Sequence, residues 1–257
     1  MIDEQVYYDR ALSNALNASI PARTETYSPV GNGAIIDAIK EKLRLTEMKV
    51  LKTRIHSNIF GTRVTGFFDV EDIRPRENPH GLNMMLGFRN SYDKSMSIAF
   101  VAGASVWICS NGLISGDLIS YRRKHTGEVA TELGEKIDIG IERMRSDFGR
   151  LNMEVDILKD FSLTRRQKSE ILGVMYFEKN LMTSTQLTIV KRELTESKHF
   201  KEDNAWSLYN NITESLKRSH PADVIQSHIK VHDFFKDVTG MNEPTPETED
   251  VQPENQS

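Results

Sequence analysis

The chain has 257 residues, 38% apolar and 27% charged, with a formal net charge of −4 and a single cysteine, Cys109. Crossing a bilayer takes about 20 consecutive apolar residues; the longest apolar stretch, Ile98 to Ile108, is broken by Gly103 and Ser105, so no membrane segment is expected. The opening MIDEQVYYDR carries acids where a secretion signal carries lysines, and one cysteine excludes both an intramolecular disulfide and a cysteine-rich zinc site, so the expected compartment is the reducing cytoplasm.

Residues 1–28 read as a polar N-terminal arm. Pro29 to Leu51 predicts a helix, with Ile35, Ile36, Ile39, Leu43 and Val50 on its buried side. The period then shortens. Val50–His56 and Arg63–Val70 alternate apolar with polar or basic residues, and Asn58–Thr62, containing Gly61, fits a hairpin turn. Pro75, Pro79 and Gly81 mark a loop. Met84–Arg89 and Ser95–Ala102 follow as strands about the polar turn Asn90–Lys94, with Ser105–Cys109 as a further strand before Asn111-Gly112. Turns this short favour antiparallel pairing.

The second half has a helical period. Val129, Leu133, Ile137, Ile141, Met144, Phe148, Leu151, Val155 and Leu158 describe one long amphipathic helix, weakened at Gly134, Gly140 and Gly149. Thr164 is a candidate N-cap for a helix through Phe177, Ser184 for one through Leu194 and Asn204 for one through Lys217; Pro221 opens a last helix to Gly240. Strands followed by helices predict a single α+β domain over 29–240, an antiparallel sheet within 49–127 packed with a helical part, 128–240. Residues 241–257 hold five acids, three prolines and no Lys or Arg, the composition of a disordered acidic tail. Taking those five charges from the total of −4 leaves residues 1–240 at +1.

Enzyme signatures are absent. No Walker A sequence, nucleophile elbow or dinucleotide fingerprint occurs, and Gly31-Asn32-Gly33 lacks a third glycine and a preceding strand. His228 and His232 have the one-turn spacing of a zinc pair, but no glutamate of the zincin pattern lies between them, and they read as surface histidines. No catalytic residue, cofactor or metal is therefore expected. The cations are more distinctive. Arg122, Arg123, Lys124 and His125 follow Tyr121 directly, a run that can neutralise phosphates while the ring stacks on a base. Lys52, Arg54 and His56 alternate, which puts them on one strand face, with Lys49 and Arg63 nearby. Among the interleaved aromatics, Phe67 and Phe88 are expected in the core, whereas Phe60 and Tyr92, at turns, are candidates for base stacking.

Three segments carry a family resemblance: Asn90-Ser91-Tyr92-Asp93-Lys94-Ser95, Val106 to Leu113 with Cys109 and Asn111, and Lys124-His125-Thr126-Gly127. Together with Tyr209-Asn210-Asn211-Ile212-Thr213-Glu214 they resemble a family of uncharacterised phage- and plasmid-encoded proteins over about Leu86 to Leu216. In that family an Asn-Ser-His-Asp-Gly-Ser turn precedes a strand, a Cys-x-Asn-Thr-Leu element, an Arg-His-Thr-Gly element and a helical Tyr-Asn-Ala-x-Thr-Glu motif. This chain departs from the pattern at Tyr92, Lys94 and Gly112, so roles of the family's turn histidine and glycine do not carry over. The resemblance implies a genetic context and no reaction. It assembles a polar set of Asn90, Asp93, Ser95, Asn111, Arg123, His125, Thr126, Asn210, Asn211, Thr213 and Glu214, whose residue types in turns and caps equally serve the backbone.

The expected function is sequence-independent binding of single-stranded DNA in phage or plasmid replication or recombination. The expected contacts are Lys52, Arg54, Arg63, Arg122, Arg123, Lys124 and His125, with Tyr92, Tyr121 or Trp107 stacking on bases. The acidic tail is a candidate site for replication or transcription proteins, and the long helix is as suited to a copy of itself as to its own sheet, giving a homo-oligomer. The alternative is a protein-interaction module, a modulator of host defence or polymerase, that uses the helical half and the tail.

Overall fold

The computed structural model describes residues 4–74, 77–106, 112–114, 119–121, 129–220 and 222–241. Two helices, α1 (Glu4–Asn17) and α2 (Asn32–Leu45), precede four long strands: β1 (Met48–Ser57), β2 (Arg63–Asp72), β3 (Leu82–Ser91) and β4 (Ile98–Val106). Each long strand pairs antiparallel with the next. Two short strands, β5 (Gly112–Leu113) and β6 (Ile119–Tyr121), both pair with β4. The helical half holds α3 (Val129–Asp160), α4 (Arg165–Gly173) running into a π-helical turn at Val174–Glu178, α5 (Ser184–Glu196), α6 (Ala205–Leu216) and α7 (Val224–Val238). The chain is an α+β protein with its antiparallel sheet in the N-terminal half.

Several boundaries differ from the sequence reading: Ser105, expected to open a further strand, lies within β4, whose expected start at Ser95 moves to Ile98, and the last helix opens at Val224, not Pro221. Two more differ for a clear local reason. α1 lies in the supposed arm; its buried stripe is only Tyr8, Ala11 and Ala15, too narrow to stand out as amphipathic. α2 stops at Leu45 because Glu47 takes a left-handed φ of 60°, which reverses the chain and makes Val50 a β1 residue.

Side chains alternate between the sheet's two faces, and each face buries different partners. On the first, Ile55, Phe68, Leu86, Phe88 and Phe100 share a core with Ile35, Ile39 and Leu43 of α2 and Ile137, Ile141 and Met144 of α3. The apolar spacing of α3 holds from Leu133 to Leu158, every one of those positions being buried. With 32 residues at about 1.5 Å each, α3 outruns the sheet. Its second half reaches the helical layer. There α6 is buried on nearly every side, polar Ser207, Asn210, Asn211, Thr213 and Ser215 included. On the second face, Phe67, Met85 and Val101 pack with Ile114 and with Val224, Ile225 and Ile229 of α7.

Among the described residues no helix is long and apolar enough to cross a membrane.

Candidate nucleic-acid interface

Antiparallel partners place their side chains on the same face, so the register of the strands reads off the second face row by row. One row runs His56, Thr65, Arg89 and Ala99, and its backbone register continues to Ser120 of β6. The next row holds Arg54, Phe67, Gly87 and Val101, and the one after it Lys52, Asp69, Met85 and Gly103. Beyond His56, Arg63 pairs with Ser91 at the sheet's end. Four guanidinium or ammonium groups, Lys52, Arg54, Arg63 and Arg89, thus share a face on which Asp69 is the central carboxylate. β6 ends at Tyr121 opposite Ile98, one position past the His56 row, and Arg122 to His125 follow it in sequence.

The individual environments separate these cations. Arg54 is 5% exposed: Nη2 donates to Asp69 Oδ1 at 2.6 Å and approaches Met85 Sδ at 3.4 Å, while the guanidinium lies 5.4 Å from the Phe67 ring centre. Its charge is neutralised inside the fold and cannot reach a phosphate, against the sequence expectation. His56 is buried beneath the edges of Tyr7 and Tyr8 from α1. Lys52, Arg63 and Arg89 are half-buried, with part of each side chain at the surface. Arg63 Nε donates to Asp93 Oδ2 at 2.5 Å. Burial raises the Asp93 pKa, but the hydrogen bonds from Ser95 and the Arg63 guanidinium outweigh it and hold the carboxyl at about 2.

Tyr92 departs from its expected role. It is a core residue, its phenol oxygen accepting the Asn32 backbone N–H at 2.8 Å, so the ring has no free face for a base. Phe60, at the β1–β2 turn, is 71% exposed and is the aromatic that a base could reach. Arg122, Arg123, Lys124, His125, Trp107, Asn111 and Thr126 lie outside the described residues, as do all but the backbone of Tyr121. The sequence alone does not single out Arg89 or Thr65, because which residues share a face depends on register between strands.

The polar turn resembling the family motif is largely occupied with its own backbone. Asn90 Nδ2 donates to Val30 O and to Asn32 Oδ1, and Asn32 Nδ2 donates in turn to Ala15 O and Gly61 O, all between 2.8 and 3.0 Å. One network thereby ties α1, α2, the β1–β2 turn and β3. Ser91 Oγ bridges the backbone of Met96, and Asp93 Oδ1 accepts the Ser95 N–H. Lys94 adopts φ 64°, the left-handed region that favours glycine, which accounts for the glycine of the resembling motif at this position.

His228 and His232 are both buried, not at the surface. His232 Nε2 lies 3.0 Å from Glu154 Oε2, off hydrogen-bond geometry, and Arg150 Nη1 donates to the other carboxylate oxygen at 2.7 Å. Burial alone would raise the Glu154 pKa, yet His232 and Arg150 bring it below the usual range. The pair joins α7 to α3. No three His, Cys, Asp or Glu side chains among the described residues converge as a metal site.

Fold and site together define a class: an α+β protein whose antiparallel sheet buries its main core on one face and, on the other, combines a smaller core against α7 with the side chains of Lys52, Arg54, Arg63 and Arg89. The chain belongs to the family defined by the domain of unknown function DUF932, whose model matches residues 69–248. No curated protein and no solved structure matches.

Proposed function

We propose that the protein binds single-stranded DNA without sequence preference, in phage or plasmid replication or recombination, through the Arg63 end of the second sheet face. The observation that supports this most is the strand register: it sets Arg63 and Arg89 in neighbouring rows at one end of the face, with Lys52 two rows beyond Arg89, and ends β6 next to the Arg89 row, just before the Arg122–His125 run. Backbone phosphates would be met by Lys52, Arg63, Arg89, Arg122, Arg123, Lys124 and His125. Phe60 offers its exposed ring to unstacked bases, which a duplex does not present, and Tyr121 is proposed for the same role.

Fluorescence anisotropy with a labelled oligonucleotide at several salt concentrations tests this. Affinity falls with salt, and Arg122→Ala with Arg123→Ala lowers the slope by one to two contacts' worth, about 0.7 each. An absence of binding at low salt overturns the reading.

The protein-interaction alternative has its own support in the helical half. α4 buries none of its residues, and Phe177 in the π-helical turn is 78% exposed. On that reading Phe177→Ala abolishes capture of a partner while leaving any DNA affinity unchanged.

A further inference from the structure

The turn between β3 and β4 sets one carboxylate, Asp93, against the cationic end of the sheet. Its backbone is anchored on both sides: Tyr92 N–H donates to Thr62 O at 2.8 Å, and Ser91 Oγ bridges the backbone of Met96. Three donors converge on the Asp93 carboxylate. Arg63 Nε donates to Oδ2 at 2.5 Å, the Ser95 N–H donates to Oδ1 at 3.0 Å, and the Ser95 hydroxyl adds a third hydrogen bond. Burial opposes ionisation, yet these bonds hold the carboxyl at about 2, so it is charged at neutral pH. Lys94, next in the chain, turns its ammonium over the Tyr27 ring, 4.7 Å from its centre, and leaves the pairing to Arg63.

A guanidinium N–H, a backbone N–H and a hydroxyl are the donors that meet phosphate oxygens along a nucleic-acid backbone. Here they are engaged by a carboxylate of the same chain, which carries one negative charge, as a backbone phosphate does. Exchanging one anion for the other conserves both charge and hydrogen bonds. The exchange also opposes little energy. The Arg63 and Asp93 side chains are 37% and 34% exposed, and an ion pair open to water to this extent contributes weakly. Rotation of the Asp93 side chain frees the donors while the anchored backbone stays in place.

We propose that Asp93 holds a phosphate site closed in the free protein, and that a backbone phosphate of the single strand displaces it and takes the Arg63 and Ser95 donors. The ligand rests on the DNA-binding reading above; the donor set rests on the geometry of the turn.

Fluorescence anisotropy with a labelled oligonucleotide compares the natural sequence with Asp93→Ala. The variant is expected to bind about two- to fivefold more tightly at low salt, the range set by an exposed ion pair. Its salt slope steepens by roughly 0.7, for one added phosphate contact. Asp203→Asn removes the same charge in the helical half, where that carboxylate pairs with Lys168, and leaves affinity unchanged. Equal or weaker binding by Asp93→Ala than by the natural sequence, or an equal gain from Asp203→Asn, overturns the proposal. A second measurement needs no DNA. Inorganic phosphate, against chloride at matched ionic strength, is expected to raise the Tm of Asp93→Ala saturably, and more than that of Asp93→Ala combined with Arg63→Ala. If no form binds the oligonucleotide, the DNA reading fails, and the phosphate shift decides the site: a larger shift in Asp93→Ala upholds it and an equal shift overturns it. Asp93→Asn, which keeps an oxygen for the Ser95 N–H, takes the place of Asp93→Ala if circular dichroism shows the latter misfolded.

Discussion

Asn32 engages both side-chain polar atoms and its backbone N–H with four different segments, and it does so away from water. Removing one partner from such a network leaves the others unsatisfied, at about 1–3 kcal/mol for each stranded group. Asn90→Ala strands Val30 O and Asn32 Oδ1 together, and urea denaturation is expected to show a loss of roughly 2–4 kcal/mol, well above the ordinary surface substitution. Gly61 is bound to the same network: at φ +65°, a Cβ there would sit 2.0 Å from Asn14 O, so Gly61→Ala is destabilising both by backbone strain and by collision. The Asp93 carboxyl gives a pH signature. Its folded pKa of about 2 lies below the ordinary 3.8, so its contribution is present above the unfolded value and is lost as pH falls through the folded one. Stability measured between pH 4 and pH 2 therefore declines with acidification, and Asp93→Asn removes that part of the decline. At this scale the sequence is least legible. Tyr92 stands in a turn and carries a polar tip, both signs of exposure, but the N–H that binds its phenol is 60 residues away in the chain.

Elements were easier to read where local chemistry decides them. Thr164 and Asn204 cap their helices as their residue types predict, and Thr183, one residue before the expected Ser184, closes a capping box with Gln186. Thr183→Ala is expected to cost about 1 kcal/mol by thermal or urea unfolding. The α3 pattern was legible over its whole length because a 3.6-residue period repeats eight times. β1 was legible as a strand and misleading as a surface. Its alternating Lys52, Arg54 and His56 do share a face, but α1 and α7 cover parts of that face, and burial follows the covering helices, not the period. The Arg54–Asp69 pair is the result. Arg54→Met leaves a carboxylate buried without its partner and is expected to cost about 3–5 kcal/mol, whereas Arg54→Met combined with Asp69→Leu recovers most of that loss. If the single and double variants unfold at the same urea concentration, the pair is not neutralised as its 2.6 Å geometry implies.

For the whole molecule, charge is distributed by segment, not by face alone. Residues 1–240 carry +1 and the closing segment −5, so a total of −4 conceals a body that does not repel nucleic acid. Segment composition is fully legible in sequence; the alignment of Lys52, Arg63 and Arg89 is not, because it depends on three strand registers at once. The two features meet in one measurement. If the cationic face binds DNA, the acids of residues 242–257 oppose that binding electrostatically, over a range set by screening of about 30 Å at 0.01 M salt and about 10 Å at 0.1 M. Deleting 242–257 is therefore expected to strengthen binding at low salt, with a gain that shrinks as salt rises. Lys52→Ala should act in the opposite direction, weakening binding and lowering the salt slope by about one contact. Tyr92→Phe serves as the internal control: it removes an interior acceptor, lowers stability, and leaves the DNA affinity of the folded protein unchanged. A deletion effect that does not diminish with salt would mean that the closing segment acts through a specific contact and not through its charge.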